Sequence, residues 1–279
     1  MKRIGIVGLG LIGGSVAKAF RKNCECEIFA FDSDATTLGF AQLSGVVDGI
    51  LNEKTIPTCD AIFIAIYPKA TVDFLQNYAN VFAKKLFVMD LCGTKKQVCE
   101  IGFDLAEKYD FTFVGGHPMA GKHLSGFKYA SAELFKGAPM VIVPPKYDDI
   151  EFLDSIKQIL LPCGFGSISV TDASTHDRII AFTSQLAHIV SNAYVKSPTA
   201  KVHNGFSAGS YKDLTRVAWL NESMWSELFL ENKEPILFEI DTIINNLSDY
   251  RNAIANGDKD VLRSLLKDGR IAKESIDGK

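Results

Sequence analysis

The chain opens with MKRIGIVGLGLIGG (residues 1–14), in which the apolar run Ile4, Gly5, Ile6, Val7 passes directly into Gly8-Leu9-Gly10-Leu11-Ile12-Gly13. This is G-x-G-x-x-G set between a strand and a helix. Gly8 allows a tight turn, Gly10 lacks the Cβ that would block a pyrophosphate, and Gly13 lets the helix pack closely on the strand. The helix that follows points its free N–H groups and its dipole at the phosphates. A second apolar run, Glu27–Phe31, ends at Asp32, 19 residues beyond Gly13. A carboxylate there accepts hydrogen bonds from both ribose hydroxyls and repels a 2′-phosphate. The pattern predicts an NAD site built from Gly8, Leu9, Gly10, Leu11, Ile12, Gly13 and Asp32, with NAD favoured over NADP.

Outward from this loop, strands and helices alternate. Helices are predicted from about Leu11 to Arg21, around Ala35–Leu43, across Thr71–Phe82, from about Lys95 to Lys108, and over Asp149–Leu160. Strands are predicted at Ala61–Ile66, Leu86–Met89, Phe111–Val114, Met140–Val143 and Ser167–Val170. The continuous apolar character of Ala61–Ile66 suits a strand buried on both faces. The alternation predicts an α/β, Rossmann-type, doubly wound and mostly parallel sheet over residues 1–171. Beyond Thr171 the strand signal stops. His176–Val195, Tyr211–Ala218, Glu222–Leu230, Pro235–Asn256 and Lys259–Leu266 all read as helices, so residues 172–279 form an all-α C-terminal domain. Along Pro235–Asn256, Ile236, Ile240, Ile243, Ile244, Leu247 and Tyr250 recur at spacings of three and four. Such a stripe must be covered. A second copy of the chain is the expected cover, making this a dimerisation domain, the alternative being a stripe that packs only within its own domain.

Composition narrows the function classes. The 279 residues are 47% hydrophobic and 23% charged, with a net charge of −3. No basic cluster suggests nucleic acid, and no apolar run reaches the ~20 residues that span a bilayer. The six cysteines (Cys24, Cys26, Cys59, Cys92, Cys99, Cys163) have no C-x-x-C spacing, so free thiols and no metal centre are expected. With strand and glycine loop at the very start, a signal peptide is not expected, and the chain reads as cytoplasmic.

Ligands of open α/β sheets bind beyond the carboxyl ends of the strands. Two segments follow such ends: Asp90-Leu91-Cys92-Gly93-Thr94-Lys95 and Gly115-Gly116-His117-Pro118-Met119-Ala120-Gly121. His117 is expected where a loop leaves the sheet. There a neutral imidazole takes a proton from a hydroxyl as hydride leaves the adjacent carbon, or it merely caps a turn. In the helical half, His176-Asp177-Arg178 is expected to open a helix. Ser184 and His188 share a helical face, as do Lys212 and Arg216. An arginine beside a lysine suits a carboxylate, although the residues alone fit a solvated helix surface equally well. His123 and His203 read as surface residues.

Taken together, these segments resemble the prephenate dehydrogenase family. The matching pieces are Gly8–Ser15, Asp90–Lys95, His117-Pro118-Met119-Ala120-Gly121 with Ser125-Gly126, His176-Asp177, Ser184–His188, Tyr211-Lys212-Asp213-Leu214-Thr215-Arg216, Trp225 and Phe229–Lys233. They follow the family order along nearly the whole chain. The resemblance implies NAD-dependent oxidative decarboxylation of prephenate to 4-hydroxyphenylpyruvate in tyrosine biosynthesis by a homodimer. It implies that His117 accepts the ring-hydroxyl proton, that His188 helps to bind substrate, and that Arg216, with Lys212 and Ser184 nearby, holds a carboxylate. Trp225 falls near the site or the dimer contact.

Two positions depart from the family pattern. Gly93 stands where many relatives have serine, so Thr94 or a water is expected to supply the hydroxyl. His123 replaces an acidic residue thought to gate the site, and a contact with Asp213 is the expected substitute. The sequence leaves arogenate open as the substrate. More distantly, a 3-hydroxyacid dehydrogenase, an imine reductase or an NAD-sensing protein would share the architecture. The chain stops soon after its last predicted helix, so no fused chorismate mutase or regulatory domain is expected.

Overall fold

The computed structural model describes residues 1–122, 124–203, 205–206 and 208–278. Strand β1 (Arg3–Val7) passes through the glycine turn into α1 (Leu11–Asn23), and β2 (Glu27–Phe31) leads to α2 (Ala35–Leu43) and the short β3 (Gly49–Ile50). The chain continues through β4 (Ala61–Ile64), α3 (Pro68–Tyr78), β5 (Phe87–Asp90), α4 (Lys96–Tyr109), β6 (Thr112–Pro118), β7 (Pro139–Val143), α5 (Ile150–Leu160) and β8 (Ser167–Val170). The strands form one sheet in the order β3-β2-β1-β4-β5-β6-β7-β8. Every residue of β4 and β5 is buried, as a strand covered by helices on both faces requires.

One apolar layer gathers Phe20, Phe63, Phe135 and Leu160. The other gathers Phe74, Phe82, Val98 and Phe113. The order reverses between β1 and β4: the chain leaves β1 toward β2 on one side and returns to β4 on the other. That switch point opens a crevice beyond the strand ends.

Three details differ from the sequence-based expectation. The two-residue β3 was too short to leave a periodic signal. β7 runs antiparallel to β6, pairing Val141 with His117, because strand direction is not written in an apolar run. His117 and Pro118 therefore belong to β6 itself and not to a loop leaving the sheet.

The remainder is helical: α6 (Ala173–Ile180), a π-helical segment (Ala181–Leu186), α7 (Ala187–Tyr194), α8 (Gly209–Thr215), α9 (Glu222–Glu231), α10 (Lys233–Ala255) and α11 (Lys259–Asp277). Asp172 caps α6 by accepting from the Thr175 N–H. His176 thus lies within the first turn, not at the helix start. Asn221 and Asp258 cap α9 and α11 in the same way. Only Ile236 and Ala253 of α10 are buried, whereas Ile244 is 52% and Leu247 60% exposed. Among the described residues no helix is long and apolar enough to cross a membrane.

Candidate active site

The glycine turn has the shape the sequence demands. Gly8 has φ +87°, and a Cβ there would lie 2.6 Å from the Ala65 carbonyl oxygen. A Cβ on Gly13 would lie 1.9 Å from the Gly8 carbonyl oxygen, so α1 can close on β1 only with glycine. Gly10 faces open space with no atom within 4 Å of its Cβ position. The first turn of α1 has no side-chain cap and no acidic residue, which leaves its N–H groups to an anion.

Asp32 is pre-oriented beside this turn: one carboxylate oxygen accepts from the Leu9 N–H at 2.6 Å and the other from the Asp34 N–H at 2.9 Å. Next to it lies a cavity of about 630 Å³, walled by Val7, Phe31, Ile66 and Phe74 and rimmed by Asn52 and Asp73. A cavity with apolar walls and a polar rim, beside a carboxylate and an open helix N-terminus, fits the adenosine and pyrophosphate of a dinucleotide.

The second half of the site is built at the ends of β5 and β6. Asp90, the last residue of β5, is fully buried and ion-paired with Lys95, itself fully buried. Burial opposes the Lys95 charge, yet Asp90 with Cys92 and Cys99 holds its pKa above the ordinary lysine value. His117 stands at the end of β6, half-buried. Its Nδ1 lies 2.9 Å from His176 Nε2, and His176 Nδ1 lies 2.7 Å from an Asp177 carboxylate oxygen. Asp177 in turn accepts from the Lys95 and Lys96 N–H groups at 2.8 and 2.9 Å, capping α4 across the interface. Burial, then His176 and Lys95, push the His117 pKa well below the ordinary histidine value. Burial lowers His176 as well, against the opposing pull of Asp177. Both shifts favour the neutral ring, and a neutral imidazole is a base.

The helical elements close over this floor. A Cβ on Gly93 would lie 3.3 Å from Leu228 of α9. Thr94 Oγ1 donates to Glu231 at 2.7 Å, so its proton is directed at α9 and not at His117. Burial raises the Glu231 pKa. Buried Asn232 donates to the Asp177 carbonyl and to Gln185, and Gln185 donates to the Leu228 carbonyl. His188 stacks on Trp225 with ring centroids 4.1 Å apart. Its Nδ1 lies 2.8 Å from the Ser184 carbonyl, which accepts from it and leaves Nε2 as an acceptor. Burial and nearby Arg216 lower its pKa. Arg216 ends α8, with Lys212 one turn earlier; both are exposed.

The structure places the sequence-derived residues in separate groups: the glycine turn with Asp32, His117 with His176, Thr94 with Glu231, and His188 with Trp225. Thr94 is paired with Glu231, Ser184 contributes its carbonyl, and Lys212 reaches solvent. His203 is not a free surface residue; it is half-buried against Tyr211 with ring centroids 4.4 Å apart. His123 lies outside the described residues. The partner of His117, His176, was not singled out as a site residue, and its only sequence signal was the adjacent His-Asp pair.

Comparison with known proteins bears on the family and the fold. Residues 16–169 match the family model described as "Prephenate dehydrogenase, nucleotide-binding domain", and residues 172–268 match "Prephenate dehydrogenase, dimerization domain". The prephenate dehydrogenase of Lactococcus lactis subsp. cremoris is 29% identical over 285 residues, covering 99% of this chain and 78% of that protein. The cyclohexadienyl dehydrogenase of Zymomonas mobilis is 27% identical, covering 99% of this chain and 96% of its own. The prephenate dehydrogenase of Aquifex aeolicus, solved with hydroxyphenyl propionate and NAD+, superposes with a TM-score of 0.80 at 26% identity, covering 99% of this chain and 98% of its own. With two adjoining models matched, the first over more than half of its length, the chain belongs to the prephenate dehydrogenase family.

Proposed function

We propose that the protein oxidises prephenate with NAD+ to 4-hydroxyphenylpyruvate and CO2, using His117 as the base. The single observation that carries the role of His117 is its place: a neutral imidazole at the end of β6, in the crevice that also holds the dinucleotide turn. NAD+, when bound, accepts the hydride from the carbinol carbon. His117 takes the hydroxyl proton, the ring carboxylate leaves as CO2, and the electron pair released makes the ring aromatic. His117 then returns its proton to the phenolic oxygen, so the cycle releases no net proton. The bound phenol and NAD+ of the Aquifex aeolicus relative support this reading.

Arg216 and Lys212 are assigned to the substrate carboxylates, since an arginine fork stays charged and binds carboxylate in two places. Neutral His188 offers an acceptor and is assigned to the substrate side of the cleft. Thr94 is assigned to the loop that holds α9 through Glu231. Residues 1–171 bind the dinucleotide, and residues 172–279 bind substrate and pair two chains in a homodimer.

The test is NADH formation on adding prephenate or arogenate in parallel, arogenate being the second reading that the cyclohexadienyl relative favours. Turnover of prephenate establishes the reaction, turnover of arogenate alone moves the assignment, and silence with both overturns it. His117→Asn is expected to lower kcat by about 10²–10⁴-fold with NAD+ affinity retained. The pH profile carries a sign. His117 loses its base function only when pH falls through its lowered pKa. The acid limb of kcat/KM is therefore expected below the ordinary value of 6.5. A limb above that value, seen with the free enzyme, would remove His117 as the titrating base.

A further inference from the structure

The Asp177–His176–His117 chain fixes more than position. Asp177 accepts the Lys95 and Lys96 N–H groups and faces His176 Nδ1 at 2.7 Å. A carboxylate holding three contacts from nitrogen acts as acceptor, so His176 must carry its proton on Nδ1. A neutral ring has one N–H, which leaves His176 Nε2 as a bare lone pair. That lone pair lies 2.9 Å from His117 Nδ1. A bare nitrogen facing another nitrogen at this distance requires a proton between them, and only His117 can supply it. His117 is thereby held as the Nδ1–H tautomer, with its Nε2 lone pair free.

We propose that His176, oriented by Asp177, is a positioning residue that locks His117 in the tautomer whose Nε2 accepts the substrate proton. This rests on the reading of His117 as the base. Two features of the chain favour the lock. Gly93 has no side chain to offer His117, and the Thr94 hydroxyl is already directed at Glu231. His176 is 2% exposed and Asp177 5%, so water does not compete for the contact. Asn232, between α9 and α10, anchors the Asp177 backbone, and Gln185 anchors Asn232. The helical half of the molecule therefore sets the protonation pattern of a residue on the sheet.

When His117 takes the substrate proton on Nε2, it becomes an imidazolium. The Nδ1 proton then strengthens its bond to His176, whose far nitrogen leans on the Asp177 carboxylate. The positive charge is stabilised without a second proton entering, and the proton on Nε2 remains available to the phenolic oxygen. Atoms and charges balance as before, because His176 and Asp177 begin and end the cycle unchanged.

The lock is tested first on the resting protein. In ¹⁵N-labelled protein, NMR of the histidine ring nitrogens is expected to show His117 protonated on Nδ1 and bare on Nε2. Free histidine prefers the opposite form, and finding that form at His117 overturns the proposal. His176→Leu is expected to shift His117 toward the Nε2–H form. It should lower kcat by about 10²-fold while KM for prephenate and NAD+ affinity change little. His176→Gln, whose side-chain oxygen can stand in for Nε2, is expected to restore kcat to within about tenfold of the parent. A His176→Leu protein with unchanged kcat, or a His176→Gln protein no better than His176→Leu, counts against the lock. If His176→Leu does not fold, the tautomer of the parent protein decides. A parent protein that shows the Nδ1–H form yet turns over neither prephenate nor arogenate keeps the lock and sinks the reaction, so the two failures are distinguishable.

Discussion

Asp32 shows how much one residue can determine. Its two oxygens accept from the Leu9 and Asp34 N–H groups, so the carboxylate is held at the mouth of the glycine turn before any ligand arrives. Further hydrogen bonds to ribose hydroxyls need no reorganisation, and a 2′-phosphate would meet a fixed negative charge. Asp32→Ala is expected to raise KM for NAD+ by about 10- to 100-fold, the value of one or two charge-assisted hydrogen bonds, and to narrow the preference over NADP+. Parallel NAD+ and NADP+ kinetics check this, and an unchanged ratio would reject the electrostatic argument. The glycines and Asp32 were legible because their geometry is local: a turn, a helix start and a strand end. The contact of His117 with His176 was not, since 59 residues separate them and only the packing of α6 against the end of β6 brings them together. The buried Asp90–Lys95 pair was hidden for a different reason, because a lysine following a strand ordinarily reaches solvent.

At the scale of elements, the strands of the first half were readable where burial on both faces made them wholly apolar, as in β4 and β5. The π-helical segment was not, because it needs one extra residue per turn and leaves no periodicity of its own. It serves to aim Gln185 at α9 while the Ser184 carbonyl meets His188, and π-helical turns often mark such sites.

The segment between β6 and β7 is held by a different device. Buried Phe127 packs where Gly14 of α1 has no side chain, and a Cβ on Gly14 would come within 2.8 Å of its ring. Lys18 of the same helix lies over that ring and donates to the Phe127 and Ala130 carbonyls. The helix that follows the glycine turn thus carries the segment that follows His117. Phe127→Ala is expected to destabilise the protein by roughly 3 kcal/mol, the cost of emptying a buried aromatic site, and to raise KM for both substrates. Urea unfolding and steady-state kinetics measure the two effects. A stability loss with unchanged kinetics would show that the anchor serves folding alone.

For the whole molecule, the open question posed by the sequence was what covers the stripe on the long helix, and the structure divides that stripe. Ile236 faces inward and is 4% exposed, and Tyr250 donates to the Leu265 carbonyl of α11. Ile244 and Leu247 stay open, and they are joined by Phe238 at 68%, Ile254 at 65%, Leu266 at 58% and Ile276 at 75%. A folded single chain does not leave so many large apolar groups along two adjacent helices without a partner surface. Because α10 and α11 present the same face in every copy, a two-fold axis lets each chain cover the other. The matched dimerization-domain model spans these helices to residue 268. Sedimentation is expected to give about twice the 30.6 kDa chain mass. The pair Phe238→Asp and Leu247→Asp, both at exposed positions, is expected to shift the protein to monomer while the sheet and its dinucleotide turn stay folded, because neither residue touches the apolar layers around the sheet. NADH affinity should then survive. Prephenate turnover reports whether the cleft between the sheet and α9 depends on the second chain: retained turnover would make each chain a complete catalyst, and its loss with NADH binding intact would place part of the substrate site under the control of the dimer. A parent protein that sediments as a monomer would leave the exposed face of α10 and α11 without the cover argued for it.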